Sequence, residues 1–384
     1  DPSFHGETDT ATTAEPTAQR PSGVGGGWLT PRKIMVGMLA TVVAVVVGTG
    51  LLVKVDYVAL LPGSARDTEP LVVVVGTETY PSDGEVLFTT VRFRSKLNLI
   101  QYLWLKLDDE VEILPAETVL GDQTPEENRA ANLELMTDSK EIAISVALER
   151  LGYDAISSDG VVVADVVPDS AAGGFLELGD SIVAVNGRPM PTALDLIEFL
   201  QERPPGVELT FDVERADGSA ESVTVTMGAR DDDPSVAFLG IVPFDRVSLN
   251  DERPFEVDIE SGRVGGPSAG LAFTLTVLDY LTPGELTGGG EVAVTGTMAF
   301  DGRVGSVGGV PQKVAAVRDQ GIDHFIVPEA LGEEELALLD EIAGDQLEIL
   351  PVRTLDEALE VLAGLGGDVG AVDEFAAQHL SLIH

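Results

Sequence analysis

A serine hydroxyl becomes a useful nucleophile only when a neighbouring group takes its proton. This chain of 384 residues offers few groups for that task. Cysteine is absent, which excludes thiolate nucleophiles, disulfides and cysteine-ligated metal centres. The four histidines are His5, His324, His379 and His384. Three of them fall in segments expected to be tails, and His324 precedes the apolar strand Phe325-Ile326-Val327, where an edge role is expected. A Ser-His-Asp triad is therefore hard to build. There is no H-E-x-x-H pattern either, so no zinc hydrolase, and neither metal nor cofactor is expected. Lysine remains. The lysines are Lys33, Lys54, Lys96, Lys106, Lys140 and Lys313, and beyond residue 140 only Lys313 occurs, in a region that otherwise uses arginine. Arginine keeps its proton at any usable pH, whereas burial lowers a lysine pKa and leaves a neutral amine able to act as base.

The matching nucleophile is Ser268, in Gly265-Gly266-Pro267-Ser268-Ala269-Gly270. This turn leads from a strand at 255–259 into an apolar helix at 271–281. Glycine permits tight backbone geometry, and proline suits a first helical turn. Ser268 is thus expected at a helix N-terminus, where the backbone of Gly266, Pro267 and Ala269 would shape the turn and an oxyanion site. An ordinary serine N-cap fits the turn equally well on its own.

Further elements must position this pair. Residues 1–30 read as a disordered tail rich in Thr, Pro, Gly, Ala and Glu. Ile34 to Val53 is a run of 20 residues without a charge, so residues 31–54 are expected to cross a bilayer as one helix, a buried core helix and a cleaved signal peptide being the alternatives. Arg20, Arg32 and Lys33 against Lys54 and Arg66 place the N-terminus in the cytoplasm and the rest outside it, on a single-pass cell-membrane protein. Residues 55–150 mix strands (71–75, 86–91) with helices (100–107, 125–151), the last opened by Thr124 as N-cap. Residues 151–230 form a compact β unit with a capped helix at 192–202 and a hairpin across Ala216-Asp217-Gly218. Asp231-Asp232-Asp233-Pro234 reads as a linker, residues 235–365 alternate strands and helices, and 366–384 read as a loose tail. The net charge of −42 opposes binding to phosphate backbones, so nucleic acid is not an expected partner.

Two resemblances carry this reading further. The segment "LELGDSIVAVNGRPM" and the helix after it resemble a PDZ domain, which implies a β-barrel module that binds peptides. Leu151-Gly152-Tyr153 stands where that resemblance puts a carboxylate-binding loop, and the groove would lie between the strand 160–167 and the helix 192–202. "GGPSAGLAFTLTVLDYLT" and "EVAVTGTMAFDGRVGSVGGVPQKVAAVRDQGIDHFIVP" resemble the proteolytic domain of the Lon (S16) proteases. There the serine and lysine of these motifs form a Ser-Lys dyad, which implies Ser268 as nucleophile, Lys313 as base and Thr295 as a support for the lysine amine. The sequence has no G-x4-G-K-[ST] phosphate loop, so the resemblance is to the bacterial membrane-anchored, PDZ-containing, ATP-independent members. It implies an α+β protein comprising a transmembrane helix, a PDZ-like module and a C-terminal α/β proteolytic domain, to which residues 55–150 would contribute strands. Unfolded or flexible proteins are the expected substrates, the bilayer is a partner through residues 34–53, and ring-forming relatives raise a homo-oligomer as an expectation. A non-catalytic PDZ scaffold and a Ser-Lys amidohydrolase acting on non-protein substrates are the alternatives.

Overall fold

The computed structural model describes residues 31–108, 110–168, 170–230, 235–250 and 255–383. The tail read at 1–30 and the linker read at 231–234 lie outside the described residues. Helix α1 (Pro31–Leu52) is apolar on every face and exposed along nearly its whole length. Among the described residues it is the one helix long and apolar enough to cross a membrane. Strand β1 (Tyr57–Asp67) follows, then β2 (Val72–Val75), β3 (Glu85–Arg94), α2 (Leu99–Leu105), β4 (Glu112–Pro115) and the long α3 (Pro125–Arg150). Two capping boxes fix the helix starts, Asn98 with Gln101 for α2 and Thr124 with Glu127 for α3. The end of α1 is tied to α2: Leu99 N–H donates to Val53 O at 2.9 Å, and Gly50 packs so closely on Ile100 that a Cβ there would stand 2.9 Å from Ile100 Cγ1.

The middle of the chain forms a second unit from β5 (Ile156–Val166), β6 (Ser181–Val185), α4 (Ala193–Gln201), β7 (Glu208–Glu214), β8 (Ala220–Thr226) and β9 (Ile241–Leu249). Its sheet runs β9-β5-β6-β7-β8, with every pairing antiparallel. Alternation along β7 buries Leu209, Phe211 and Val213 against Leu196 and Phe199 of α4. Thr192 caps α4 and closes a box with Asp195.

The remainder comprises β10 (Glu256–Ile259), α5 (Gly270–Leu281), β11 (Glu291–Val294), α6 (Val310–Asp319), β12 (His324–Pro328), α7 (Glu333–Ala343), β13 (Glu348–Val352), α8 (Leu355–Gly364) and α9 (Gly370–Ile383). Its six-stranded sheet has the order β13-β12-β11-β3-β1-β4. From β13 to β3 the neighbours run parallel, and β1 pairs antiparallel with β3 and β4. Strands from both sides of the middle unit therefore share one sheet, and the β5–β9 unit is looped out between α3 and β10. Strands β2 and β3, neighbours in sequence, do not pair: β2 joins β10 in a separate two-stranded sheet. The core lies where α3 crosses α5, with Ile144, Ala147 and Leu148 against Leu271, Phe273 and Leu278, and Phe88 of β3 tilted 5.9 Å from Phe273. Each such large apolar side chain contributes about 1.5–3 kcal/mol by leaving water.

The segment read as a loose tail is ordered instead. In α9, Val372 and Ala376 are buried and Phe375 packs on the same core. Asp373 also accepts a 2.5 Å bond from Arg150 Nη2. The apolar spacing 372, 375, 376 is that of one helical face, which is reason enough for the segment to dock.

Candidate active site

The turn that carries Ser268 is pinned from three directions. Gly266 has φ +91°, a value side-chain-bearing residues avoid, and its N–H donates to Asn132 O of α3 at 2.7 Å. Ser139, about two turns further along the same face of α3, donates its hydroxyl to Pro267 O at 3.1 Å. The Ser268 carbonyl accepts from Gly296 N at 3.0 Å and from Thr295 Oγ1 at 3.1 Å. Helix α5 starts at Gly270 rather than at Pro267, so Ser268 occupies the turn just ahead of it. Eleven of the 12 residues of α5 are buried, which makes it a rigid platform.

Lys313 projects from the first turns of α6, whose N-cap Gly309 adopts φ +67°. Its neighbours Gln312 and Val314 to Val317 are buried too, and Lys313 itself is 2% exposed. Its Nζ donates to Thr295 Oγ1 at 2.8 Å. Burial pushes its pKa down from 10.5 to about 7. A continuous chain results: Lys313 amine to Thr295 hydroxyl to Ser268 carbonyl. One amine hydrogen is committed to Thr295, which orients the nitrogen, and its lone pair stays available. Ser268 and Lys313 both line one cleft of about 770 Å³.

Thr295 thus couples the two motifs. Thr295→Val, near its volume, is expected to lower kcat by roughly 10²-fold through misalignment. It also leaves the buried amine without its acceptor, so protonation becomes harder and the apparent pKa in the rate profile falls. Thr295→Ser restores most of both. Steady-state kinetics over pH 5–9 checks this, and an unshifted profile with full kcat would remove Thr295 from the site.

The three turn residues expected to build an oxyanion site are close to Ser268 but do not contribute equally. Pro267 has no N–H, and the Gly266 N–H is spent on Asn132. The amides of Ser268 and Ala269 have no acceptor among the described residues, so they are the donors open to an oxyanion. Sequence reasoning missed Asn132 and Ser139, because nothing in an amphipathic helix marks which polar residue faces a distant turn. Neither His324 nor His379 lines the cleft.

Leu151, Gly152 and Tyr153 prove to be elsewhere than expected. They terminate α3: Gly152 has φ +84°, and Tyr153 N–H returns to Leu148 O at 3.0 Å. Leu151 is fully buried in the α3–α5 core, and the Tyr153 ring meets Phe255 edge-to-face and lies tilted against His379. The expected groove shifts as well. One edge of β5 is covered by β9 from Ile241–Val166 to Leu249–Ile156. The outer edge of β9 has no strand partner among the described residues, and Pro243, which cannot donate, is tolerated there. The open groove lies between β9 and α4. It has a cavity of about 270 Å³ lined by Ile197, Leu200, Phe238, Leu239, Gly240 and Pro243.

Residues 252–364 match the Lon protease (S16) C-terminal proteolytic domain, and residues 127–227 match the PDZ domain. The Lon protease of Azospirillum brasilense is 32% identical over 115 residues, 29% of this chain and 14% of that protein. That of Clostridioides difficile is 36% identical over 95 residues, 25% of this chain and 12% of its own length. The archaeal Lon protease of Methanocaldococcus jannaschii is 26% identical over 178 residues, 46% of this chain and 26% of its own length. The chain thus spans about an eighth to a quarter of the length of these relatives. Among solved structures, the PDZ domain of an SdrC-like protein from Listeria innocua has a TM-score of 0.21 at 22% identity, over 22% of this chain and 93% of its own. With a serine turn and a buried lysine in the matched region, the chain carries a Lon-type (S16) C-terminal proteolytic domain together with a PDZ domain.

Proposed function

We propose that the chain is an ATP-independent serine endopeptidase in which Ser268 attacks and Lys313 is the general base. The observation that carries this reading is the buried Lys313 amine, held by Thr295 on the wall of the cleft that Ser268 also lines. Neutral Lys313 takes the Ser268 hydroxyl proton as Oγ bonds to the scissile carbonyl carbon. The oxyanion is held by the Ser268 and Ala269 amides. The Lys313 ammonium then gives its proton to the departing amine, leaving an acyl-enzyme. Water, deprotonated by Lys313, releases the acid and restores Ser268. Substrate adds as an extended strand. β11 pairs with β3 only as far as Phe88, and from Thr89 on that edge of β3 has no strand partner among the described residues. Thr90, Val91 and Arg92 line the cleft there. The groove between β9 and α4 captures a second segment by the same augmentation.

The test is a fluorogenic-peptide assay of the full chain beside Ser268→Ala, which is expected to be inactive while folded. With the wild type, kcat/KM rises about tenfold per pH unit up to the Lys313 pKa near 7, then levels, because only the neutral amine is a base. A profile flat from pH 5 to 9 would contradict the assignment.

The same proposal tethers the enzyme to a bilayer through α1, with the catalytic module outside the cytoplasm. Leu103, Trp104 and Leu107 at the end of α2 are 55%, 67% and 83% exposed, next to the helix that α1 packs on. Tryptophan and leucine at such a place suit the headgroup boundary. In vesicles, with Trp28→Phe leaving Trp104 as sole reporter, lipids brominated high on the acyl chain are expected to quench its fluorescence more than lipids brominated near the terminus. Unquenched Trp104 in protein that floats with the vesicles would lift α2 off the membrane and leave the anchor intact. Protein that does not float would remove the anchor.

A further inference from the structure

The cleft around Ser268 has a charge opposite to that of the molecule. Arg66 of β1, Arg92 of β3, Arg129 of α3 and Arg263 of the loop after β10 all line it, and among the described residues Glu260 is the one acidic residue that does. Four separate elements converge to place them. Five arginines elsewhere are neutralised, Arg150, Arg215, Arg246, Arg318 and Arg353 each binding a carboxylate within 3.3 Å, although Arg94 and Arg188, also outside the cleft, have no ion pair among the described residues. With 65 acidic residues against 23 basic ones, a surface arginine finds a carboxylate easily. Yet among the described residues none of the four cleft arginines has a carboxylate within 4.0 Å. Arg92 Nε donates to Pro62 O at 2.7 Å and Arg66 Nε to Ser64 Oγ at 3.0 Å. Those bonds anchor the two side chains by Nε and leave the terminal nitrogens of each guanidinium for a ligand.

We infer that this cleft selects peptides carrying aspartate or glutamate beside the scissile bond, the four arginines acting as carboxylate receptors along the bound strand. The inference rests on the peptidase reading above for its substrate. Guanidinium suits the task because it forks onto carboxylates with two parallel hydrogen bonds and never loses its charge. The acidic remainder of the surface opposes approach, but at physiological salt that field is screened beyond about 8 Å. On contact the local arginines prevail. A strand with alternating side chains can meet receptors on both walls, β3 and β1 on one side and α3 with the 260–263 loop on the other.

The test uses the full chain in detergent micelles and C-terminally amidated nonapeptides identical except for Glu, Gln or Lys at the positions flanking the cleavage site. Amidation keeps a terminal carboxylate from becoming a variable. The expected order of kcat/KM is Glu above Gln above Lys, with Glu over Gln by at least about tenfold. Arg129→Glu with Arg263→Glu inverts the Glu-to-Lys ratio. The same peptides, labelled, are also bound to Ser268→Ala and followed by anisotropy, where Glu again binds tightest and loses affinity as salt is added. Glutamine peptides cut and bound as well as glutamate peptides would overturn the inference while leaving the peptidase intact. Glutamate-selective binding without cleavage by the wild type would uphold the arginine receptors and overturn the peptidase. Neither cleavage nor selective binding would overturn both.

Discussion

Lys313→Met is expected to lower kcat/KM by about 10³–10⁴-fold and to raise the stability of the protein at pH 6. The two effects have one cause. The amine is useful because it is buried, and burial is what makes its charged form costly. In the folded chain its pKa falls to about 7 from 10.5. Between those values the unfolded chain binds a proton that the folded chain does not, so stability rises with pH across that window. Falling pH removes that stability between 10.5 and about 7, and below about 7, where the folded state also carries the ammonium, the loss levels off at its full value. A difference of this size corresponds to at most about 5 kcal/mol. Met fills the same space without charge, and Thr295 keeps a partner because its hydroxyl still donates to Ser268 O. The variant should therefore unfold at higher denaturant than the wild type at pH 6, and the gap should narrow steadily toward pH 10. Lys313→Arg should restore neither activity nor stability, since a guanidinium stays charged and is larger. Parallel denaturation midpoints for wild type and Lys313→Met from pH 6 to 10 would show that the amine is not desolvated. Equal turnover would end the dyad.

What could be read in the sequence was local chemistry. Lys313 stood out as the sole lysine beyond residue 140, and Ser268 by its glycine-framed turn. The capped helices α3 and α4 and the hairpin β7–β8 also followed from residues a few positions apart. Long-range pairing could not be read. Strand β1 contains Pro62-Gly63, and the structure absorbs the pair in a register shift against β3. The cover of β9 over β5 joins residues more than 70 positions apart, so the groove was placed beside β5 rather than between β9 and α4. Tyr153 and His379 meet across still more of the chain, which is why a helix end was mistaken for a binding loop and a docked helix for a tail. The four cleft arginines share no spacing at all. A pattern rule sees periodicity within an element, and these residues are assembled only by topology.

Gly270→Ala is expected to be a damaging single-methyl change near the site, costing about 1–3 kcal/mol and about 10²-fold in kcat. A Cβ at residue 270 would lie 2.8 Å from the backbone nitrogen of Met298, 3.1 Å from its Cβ and 3.2 Å from Ser139 Oγ. Flexible side chains could yield, but a strand backbone cannot. Helix α5 is buried along its whole length, so it has no room to retreat on its other faces. The strain would therefore fall on the contact between the helix start and residues 295–298. There Leu271 N–H binds Gly296 O at 3.1 Å, and Gly296 N–H binds Ser268 O. Opening it withdraws the Ser268 carbonyl from Thr295, and the amine-to-serine chain breaks at its middle. Gly266→Ala should fail differently: its Cβ meets only Asn132 Oδ1, at 3.4 Å, and the penalty comes from φ +91°. Gly364→Ala, at the end of α8 with nothing within 4 Å, is the control and should be neutral or slightly stabilising. Adding Ser139→Ala to Gly270→Ala should rescue little, because the Met298 nitrogen remains. If Gly270→Ala keeps wild-type turnover and midpoint, the close helix–strand contact does not position Ser268.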